Sequence, residues 1–337
     1  MRYSFEVIEF EKIDTKEYYC FPRKALFTTV EWLSFVKDDS QVTPLILRII
    51  DENDQFVGYF TSMVAYKLGV KIIGSPFSGW STCWMGFDVV DGVDKKSLIK
   101  PTVDYLLKVH HALFVQIIER DITTAEADEL KFSNSSCNTL ELSINKTDDE
   151  LFKVFKTDCR NFIRQFERRG ARIEQVEPSE EFAKQYYEQL KDVFAKQGMV
   201  PTYSLDKVKR MMSHLASSPH ILCLRVIDPE ENCIATSIFL GYNKKMFFWG
   251  GASYRNGQHY RPNEYMIWTA IKYWRDKGYE VFDMVGARDY KRKFGSHDVS
   301  YACMEFSRFP GLIGLKHFAG NMYFRMLNLK GKLGGKK

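Results

Sequence analysis

The sequence has no long apolar run and no paired cysteines. No stretch approaches the roughly 18 consecutive apolar residues that a membrane-spanning helix needs. The seven cysteines are odd in number, widely spaced and without a CxxC pair, which favours reduced thiols over a disulfide framework or a zinc site. The segment 1–12 lacks the cationic and apolar regions of a signal peptide. These absences favour a cytoplasmic protein without a metal centre.

Acidic residues are absent after Glu305, whereas that last stretch carries seven Lys or Arg residues. Because the formal net charge of the whole chain is only +5, the part up to Glu305 is slightly acidic. Apolar residues recur at near-helical spacing from Leu312 to Met326, which predicts a basic, partly amphipathic helix in a tail at 310–337. Three interpretations stay open for this tail: peripheral contact with an anionic membrane at its inner face, contact with nucleic acid, or a solvated packing helix.

The order of predicted elements indicates an α/β fold (α+β, with mixed sheets), and its plan occurs twice. In each half of the chain an antiparallel meander of strands is followed by a helix and then by a further strand. The first copy has strands at 44–50, 55–66 and 70–74, a helix at 97–111 and a strand at 112–119. The second copy has strands at 220–228, 234–242 and 245–252, a helix at 262–277 and a strand at 279–285. We therefore expect two similar domains around a shared cleft, at 1–148 and 149–309.

The segment 278–295 is the most informative part of the chain. A strand-like stretch ends at Gly286, and Lys291 follows in a Tyr-Lys-x-x-Phe-Gly turn. Open α/β folds bind ligands outside the carboxyl ends of their strands, so Lys291 is well placed to meet a developing negative charge. The alternative is that Lys291 is an ordinary surface lysine. Nearby Lys293 is interpreted as a surface charge.

Several segments together resemble the FemAB-type, acetyltransferase-like branch of the GNAT acyltransferase superfamily. They are Arg160-Asn161-x-Ile163-Arg164, Phe247 to Ser253, the helix after Pro262 with Trp268, Phe282-Asp283-x-x-Gly286, and Tyr290 to Gly295. The resemblance implies tandem GNAT-like domains and N-acyl or aminoacyl transfer to an amine of a cell-envelope or polysaccharide precursor. It implies an acyl thioester or aminoacyl-tRNA as co-substrate, with no tightly bound cofactor. Lys291 matches the family lysine that stabilises the carbonyl oxygen.

Further candidate residues follow from the same stretches. Asp283, at a strand end, could orient the attacking amine or accept its proton, or could pair with an arginine. We interpret Tyr290 as a substrate-binding residue, and Trp249 and Tyr254 as flanking a Gly-Gly step that lets a ligand approach closely, or else as core aromatics. The remaining candidates for substrate binding are cationic or polar: Arg160, Asn161, Arg164 and Lys37.

Two departures from the wider superfamily bear on the substrates. The stretch from Tyr254 to Asn263 lacks the glycine-rich loop whose backbone amides hold a pyrophosphate, which argues against standard acyl-CoA binding in the second domain. Val200-Pro201-Thr202 stands where relatives that bind a UDP-linked muropeptide have an arginine, so the acceptor is expected to differ. The alternative to an enzyme is a non-catalytic module that binds an anionic glycan, a lipid headgroup or RNA.

Overall fold

The computed structural model describes residues 2–77, 79–196, 198–309 and 311–314. The strands are β1 (Tyr3–Ile8), β2 (Thr43–Asp51), β3 (Phe56–Lys67), β4 (Val70–Ser75), β5 (Phe87–Val89), β6 (Phe114–Glu119), β7 (Ser133–Ser143), β8 (Arg172–Val176), β9 (Ile221–Ile227), β10 (Cys233–Tyr242), β11 (Lys245–Ser253), β12 (Val281–Asp283) and β13 (His297–Ser307). The helices are α1 (Thr15–Tyr18), α2 (Val30–Ser40), α3 (Lys95–Lys108), α4 (Thr124–Glu129), α5 (Asp148–Val154), α6 (Thr157–Arg168), α7 (Glu180–Ala195), α8 (Leu205–Leu215) and α9 (Pro262–Asp276). Within the described ranges, no helix is long and apolar enough to cross a membrane.

Local sequence signals account for most helix starts. Thr147 accepts a hydrogen bond from the backbone N–H of Glu150 while the Glu150 carboxylate accepts one from Thr147, a capping box that begins α5. Ser179 and Ser204 cap α7 and α8 in the simpler way, through one side-chain oxygen. Pro262 occupies the first turn of α9, where its missing N–H costs no hydrogen bond.

The first compact unit contains the described residues of 1–18, 42–136 and 301–337. Its strand order is β1-β2-β3-β4-β6-β13, and β5 pairs with β3 beside this path. The pairs from β1 to β4 are antiparallel, β4 and β6 are parallel, and β6 and β13 are antiparallel. The change to a parallel pair requires a crossover, which α3 provides. Buried apolar residues of β2, β6 and α3 form the core of this unit.

The second compact unit contains residues 19–41 and 137–300, and its order β8-β9-β10-β11-β12-β7 repeats the same plan. The strands from β8 to β11 form an antiparallel meander, and β11 and β12 are the parallel pair. Helix α9 makes the crossover between them, and β7 pairs antiparallel with β12. Its core includes Phe239, Met246, Trp274 and Phe282, all fully or almost fully buried.

The predicted α/β class with mixed sheets is confirmed, and the predicted meander, helix and strand of each copy lie within a few residues of those observed. The partition of the chain differs from a cut at residue 148, because β13 completes the first unit and β7 the second. Strand β7 escaped prediction because its first half is polar and largely exposed, so it reads as a loop. The predicted basic tail lies outside the described residues from 315 onward.

Candidate active site

A cavity of the second unit lies at a fork between two parallel strands. Strands β11 and β12 pair only from Lys245 with Val281 to Phe247 with Asp283. Beyond these pairs β11 continues to Ser253, whereas the segment after β12 turns away at Val285 and Gly286, which both have positive φ. A cavity of about 740 Å³ lies at this fork. It is thus at the carboxyl ends of the strands, where open α/β sheets bind their ligands.

A β-bulge shapes the wall formed by β11. Phe239 pairs with Phe248 and Ile238 pairs with Gly250, so Trp249 is an extra residue on this strand. Trp249 and the two glycines that follow it line the cavity. A side chain at Gly250 would place its Cβ 2.3 Å from the hydroxyl oxygen of Tyr186. Glycine is therefore required here by close packing against Tyr186, whereas the sequence had suggested close approach of a ligand.

Lys291 lies in a 3-10 turn, Asp289–Phe294, and lines the cavity although its side chain is only 4% exposed. Its ammonium donates hydrogen bonds to the carbonyl oxygens of Met284 and Val285, the latter at 2.7 Å. The ring centroid of Phe248 is 5.5 Å from the ammonium nitrogen. The surface-lysine alternative is therefore wrong, since this cation is buried and held at a fixed position at the fork.

Asp283 is buried behind the turn and does not line the cavity. Its Oδ1 accepts hydrogen bonds from the Thr139 hydroxyl and from the Val285 amide, at 2.5 Å and 2.8 Å. Burial raises the pKa of Asp283 despite these bonds. Both of these donors are neutral groups. The contacts give Asp283 a part in holding the turn that carries Val285.

An aromatic cluster lines the cavity beside β11. The hydroxyl groups of Tyr186 and Tyr203 are 2.6 Å apart, and the Trp249 ring centroid lies 5.2 Å from that of Tyr203. Burial raises the pKa of Tyr203 to about 12 and also raises the pKa of Tyr186 well above its usual value, so both hydroxyls stay protonated at neutral pH. Neither tyrosine was predicted, because α7 and the loop that follows it carry no motif that marks them.

Charged residues surround the start of α9. Arg261, in the left-handed conformation just before Pro262, places its guanidinium 4.2 Å from the ring centroid of Phe162. Lys293 forms an ion pair with Glu264 in the first turn of α9, with side chains 17% and 11% exposed. The interpretation of Lys293 as a surface charge is therefore wrong, because its side chain is mostly buried and lines the same cavity.

Comparison with known proteins identifies folds that are similar to this one. Residues 153–292 match the family described as "Acetyltransferase (GNAT) domain". The crystal structure of FemX is similar over 89% of this chain and 97% of that one, with a TM-score of 0.71 at 14% identity. Residues 153–292 therefore resemble a GNAT acetyltransferase domain, and the chain has the fold of FemX.

Other solved structures share this GNAT fold at lower similarity. A conserved protein of unknown function from Bacteroides thetaiotaomicron covers 89% of this chain and 99% of its own, with a TM-score of 0.56 at 11% identity. L-PGS from Bacillus licheniformis covers 88% and 92%, with a TM-score of 0.51 at 11% identity. No curated protein matches the chain in sequence.

The remaining predicted site residues lie away from the cavity lining. Tyr254 lines a separate groove of about 650 Å³ next to Arg172 and Arg225. Arg160 donates to the carbonyl oxygen of Phe152 and to Thr157, which are local contacts around the start of α6. The others are Asn161 and Arg164, exposed on α6, and Lys37, on α2. Of the predicted substrate-binding residues, the cavity brings together Trp249 and Tyr290 with Lys291.

Proposed function

We propose that this protein transfers an acyl or aminoacyl group from an activated ester to an amine of a cell-envelope or polysaccharide precursor. The observation that carries the proposal is the buried ammonium of Lys291 at the fork between β11 and β12. The FemAB-like fold and the likeness to a protein titled as a putative lysylphosphatidylglycerol synthetase support transfer to an envelope component. The match of residues 153–292 to an acetyltransferase domain favours catalysis over the purely binding alternative.

In this proposal Lys291 acts on the carbonyl oxygen of the donor. The amine nitrogen attacks the carbonyl carbon and the bond to the oxygen or sulfur leaving group breaks. The proton that the amine loses ends on that leaving group as the amide forms. Negative charge develops on the carbonyl oxygen during this step. A fixed ammonium with little exposure to water stabilises that charge more strongly than a mobile surface lysine would. The carbonyl oxygens of Met284 and Val285 fix its position.

The charge of the cavity wall favours a donor that carries phosphate. Arg261, Arg288, Lys291 and Lys293 line it, whereas Glu264 is the acidic residue among the described lining residues. Positive walls attract anionic substrates. An acyl thioester of a nucleotide-bearing carrier and an aminoacyl-tRNA both present phosphates, so the wall fits either class.

The test is transfer of a labelled acyl group, followed by mass spectrometry, with acyl thioesters and aminoacyl-tRNAs offered separately to amine-bearing envelope precursors. We expect Lys291→Ala to lower turnover by roughly 10²- to 10³-fold, the usual cost of removing one such donor. Lys291→Arg should recover only part, since a planar guanidinium cannot take the place of a compact ammonium. Absence of transfer by the wild-type protein from both donor classes would refute the proposed function.

A structural effect of the substitution must be separated from a catalytic one. Lys291→Ala also removes the donor to two carbonyl oxygens, which is expected to cost about 1–3 kcal/mol of stability. Turnover is therefore expressed per folded molecule, at a temperature where the variant remains native. Lys184→Ala is the matched control, because the Lys184 side chain is 57% exposed on α7. Wild-type turnover in folded Lys291→Ala would remove the catalytic assignment of Lys291.

A further inference from the structure

Exposed apolar side chains gather at one end of the sheet of the first unit. Tyr66, near the end of β3, is 66% exposed, and Leu68, in the turn between β3 and β4, is 103% exposed. Val109 follows α3 and Phe309 follows β13, and both are more than half exposed. Isolated exposed apolar residues are ordinary, but a group of them on one surface indicates an interaction site.

The hydrogen-bonded register brings these segments to the same end. Lys67 pairs with Val70 at the end of β3, and Ile72 of β4 pairs with Phe114 at the start of β6. Ser307 at the end of β13 also pairs with Phe114. The β3–β4 turn, the 109–113 loop and the 308–309 segment therefore form one edge, which we call the apolar rim.

Basic residues accompany the apolar rim. Lys67 and Arg308 are exposed, each next to one of its apolar residues, and Lys108 is exposed at the end of α3. The Lys71 ammonium lies 2.9 Å from the carbonyl oxygen of His110 in the adjacent loop. One acidic contact is present, with Asp104 at 3.5 Å from the Lys108 ammonium. The surface therefore combines protruding apolar side chains with a positive charge around them.

The chain also leaves the described part of the structure beside this surface. The Arg308 amide donates to the carbonyl oxygen of Leu113, and only a few residues separate Arg308 from Gly314. The sequence after Gly314 carries further Lys and Arg residues and no acidic one. The sequence that follows the apolar rim along the chain is therefore positively charged.

We propose that the apolar rim and its cations dock the protein on the surface of an anionic lipid bilayer. Leu68 and its apolar neighbours would enter the interfacial region, while Lys67, Lys108 and Arg308 would contact lipid phosphates. Apolar insertion and electrostatic attraction add in such peripheral contacts, and each basic residue near the surface strengthens binding several-fold. The inference goes beyond the proposed function, because acyl transfer does not require this surface.

The experiment is sedimentation of the full-length protein with vesicles of phosphatidylcholine, alone or mixed with phosphatidylglycerol. We expect binding only to the mixed vesicles, weakened by added salt because screening shortens the reach of charges. Leu68→Ser should lower the partition coefficient about tenfold, since one leucine side chain would no longer be buried. Lys67→Glu should lower it by a similar or larger factor.

The control is Val200→Ser, which removes another exposed apolar side chain, 81% exposed, from a loop of the second unit. It should leave vesicle binding unchanged. The Leu68 side chain is fully exposed and does not pack in the core, so Leu68→Ser should keep the wild-type urea midpoint. The proposal would be overturned if Leu68→Ser had the same partition coefficient as the wild-type protein. It would also be overturned if the wild-type protein bound neutral and mixed vesicles equally well. If the wild-type protein binds no vesicles but self-associates, and Leu68→Ser loses this self-association, the rim contacts a second copy of the chain. That result would also overturn the proposal.

Discussion

The packing of Gly250 against Tyr186 leads to a prediction in which a second substitution rescues the first. In Gly250→Ala the new Cβ would lie 2.3 Å from the Tyr186 hydroxyl oxygen, a distance that packed atoms do not tolerate. Tyr186 is fully buried and its hydroxyl contacts that of Tyr203, so the ring cannot move without losing this contact. Tyr186→Phe removes the clashing oxygen, and the nearest ring atom is then 3.3 Å away.

The magnitudes follow from these distances. Overpacking costs about 1–3 kcal/mol and loss of a buried hydrogen bond about 1 kcal/mol, while replacing glycine by alanine returns about 0.4–1 kcal/mol through the unfolded chain. Gly250→Ala should therefore destabilise the wild-type protein by about 2 kcal/mol. In the Tyr186→Phe background the same substitution should cost less than about 0.5 kcal/mol, because only a close van der Waals contact remains.

Urea denaturation of the four proteins in this cycle measures the coupling directly. Tyr203→Phe provides the matched control, because it breaks the same hydroxyl contact while leaving the Tyr186 oxygen in place. In that background Gly250→Ala should still cost about 1 kcal/mol, because the overpacking remains although the hydrogen bond is already absent. If its cost is equal in the Tyr186→Phe and wild-type backgrounds, the close approach of Gly250 to Tyr186 is not the cause and the reasoning fails.

Two other predictions concern charged groups around the cavity. Lys293→Ala should lower the free energy of unfolding by about 2–3 kcal/mol in urea denaturation, because it leaves the Glu264 carboxylate buried without its partner. Adding Glu264→Gln should restore at least half of this loss. A Lys293→Ala cost below about 0.5 kcal/mol would contradict the prediction. Burial raises the pKa of Asp283 above its unfolded value near 3.9, so its contribution to stability is fully present below that pH and is lost as pH rises through the folded pKa. The stability of the wild-type protein relative to Asp283→Asn should accordingly fall from about pH 4 upward, and parallel urea midpoints of the two proteins across this range would refute it.

The repeated plan could be predicted from sequence because its signals are local. Pro262 marks the first turn of α9, and alternating apolar residues separated by polar turns mark the β9 to β11 meander. Lys291 was found because a strand, a glycine and a turn stand in sequence before it. These features depend on neighbours within a few residues.

The parts that escaped prediction depend on distant contacts. Tyr186 and Tyr203 meet across the turn between two helices, and no spacing rule links them. Arg261 reaches Phe162 and Lys293 reaches Glu264 only after α6, α9 and the Lys291 turn have packed together. Arg160 and Tyr254, chosen for their residue types, lie elsewhere for the same reason: residue type does not give the direction of a side chain in the folded chain.

Strand β13 completes the first unit and strand β7 the second, and this exchange delays strand pairing while the chain is being synthesised. The edge of β6 remains without its antiparallel partner until residues 302–307 have emerged, almost at the end of the chain. Strand β7 in turn waits for β12, which follows it by more than a hundred residues. Pairing across such separations is slow, because closing a long loop costs conformational entropy before any stabilising contact forms. A ribosome-bound first half therefore carries exposed strand edges, so cutting the gene at the predicted boundary should give two fragments prone to aggregation.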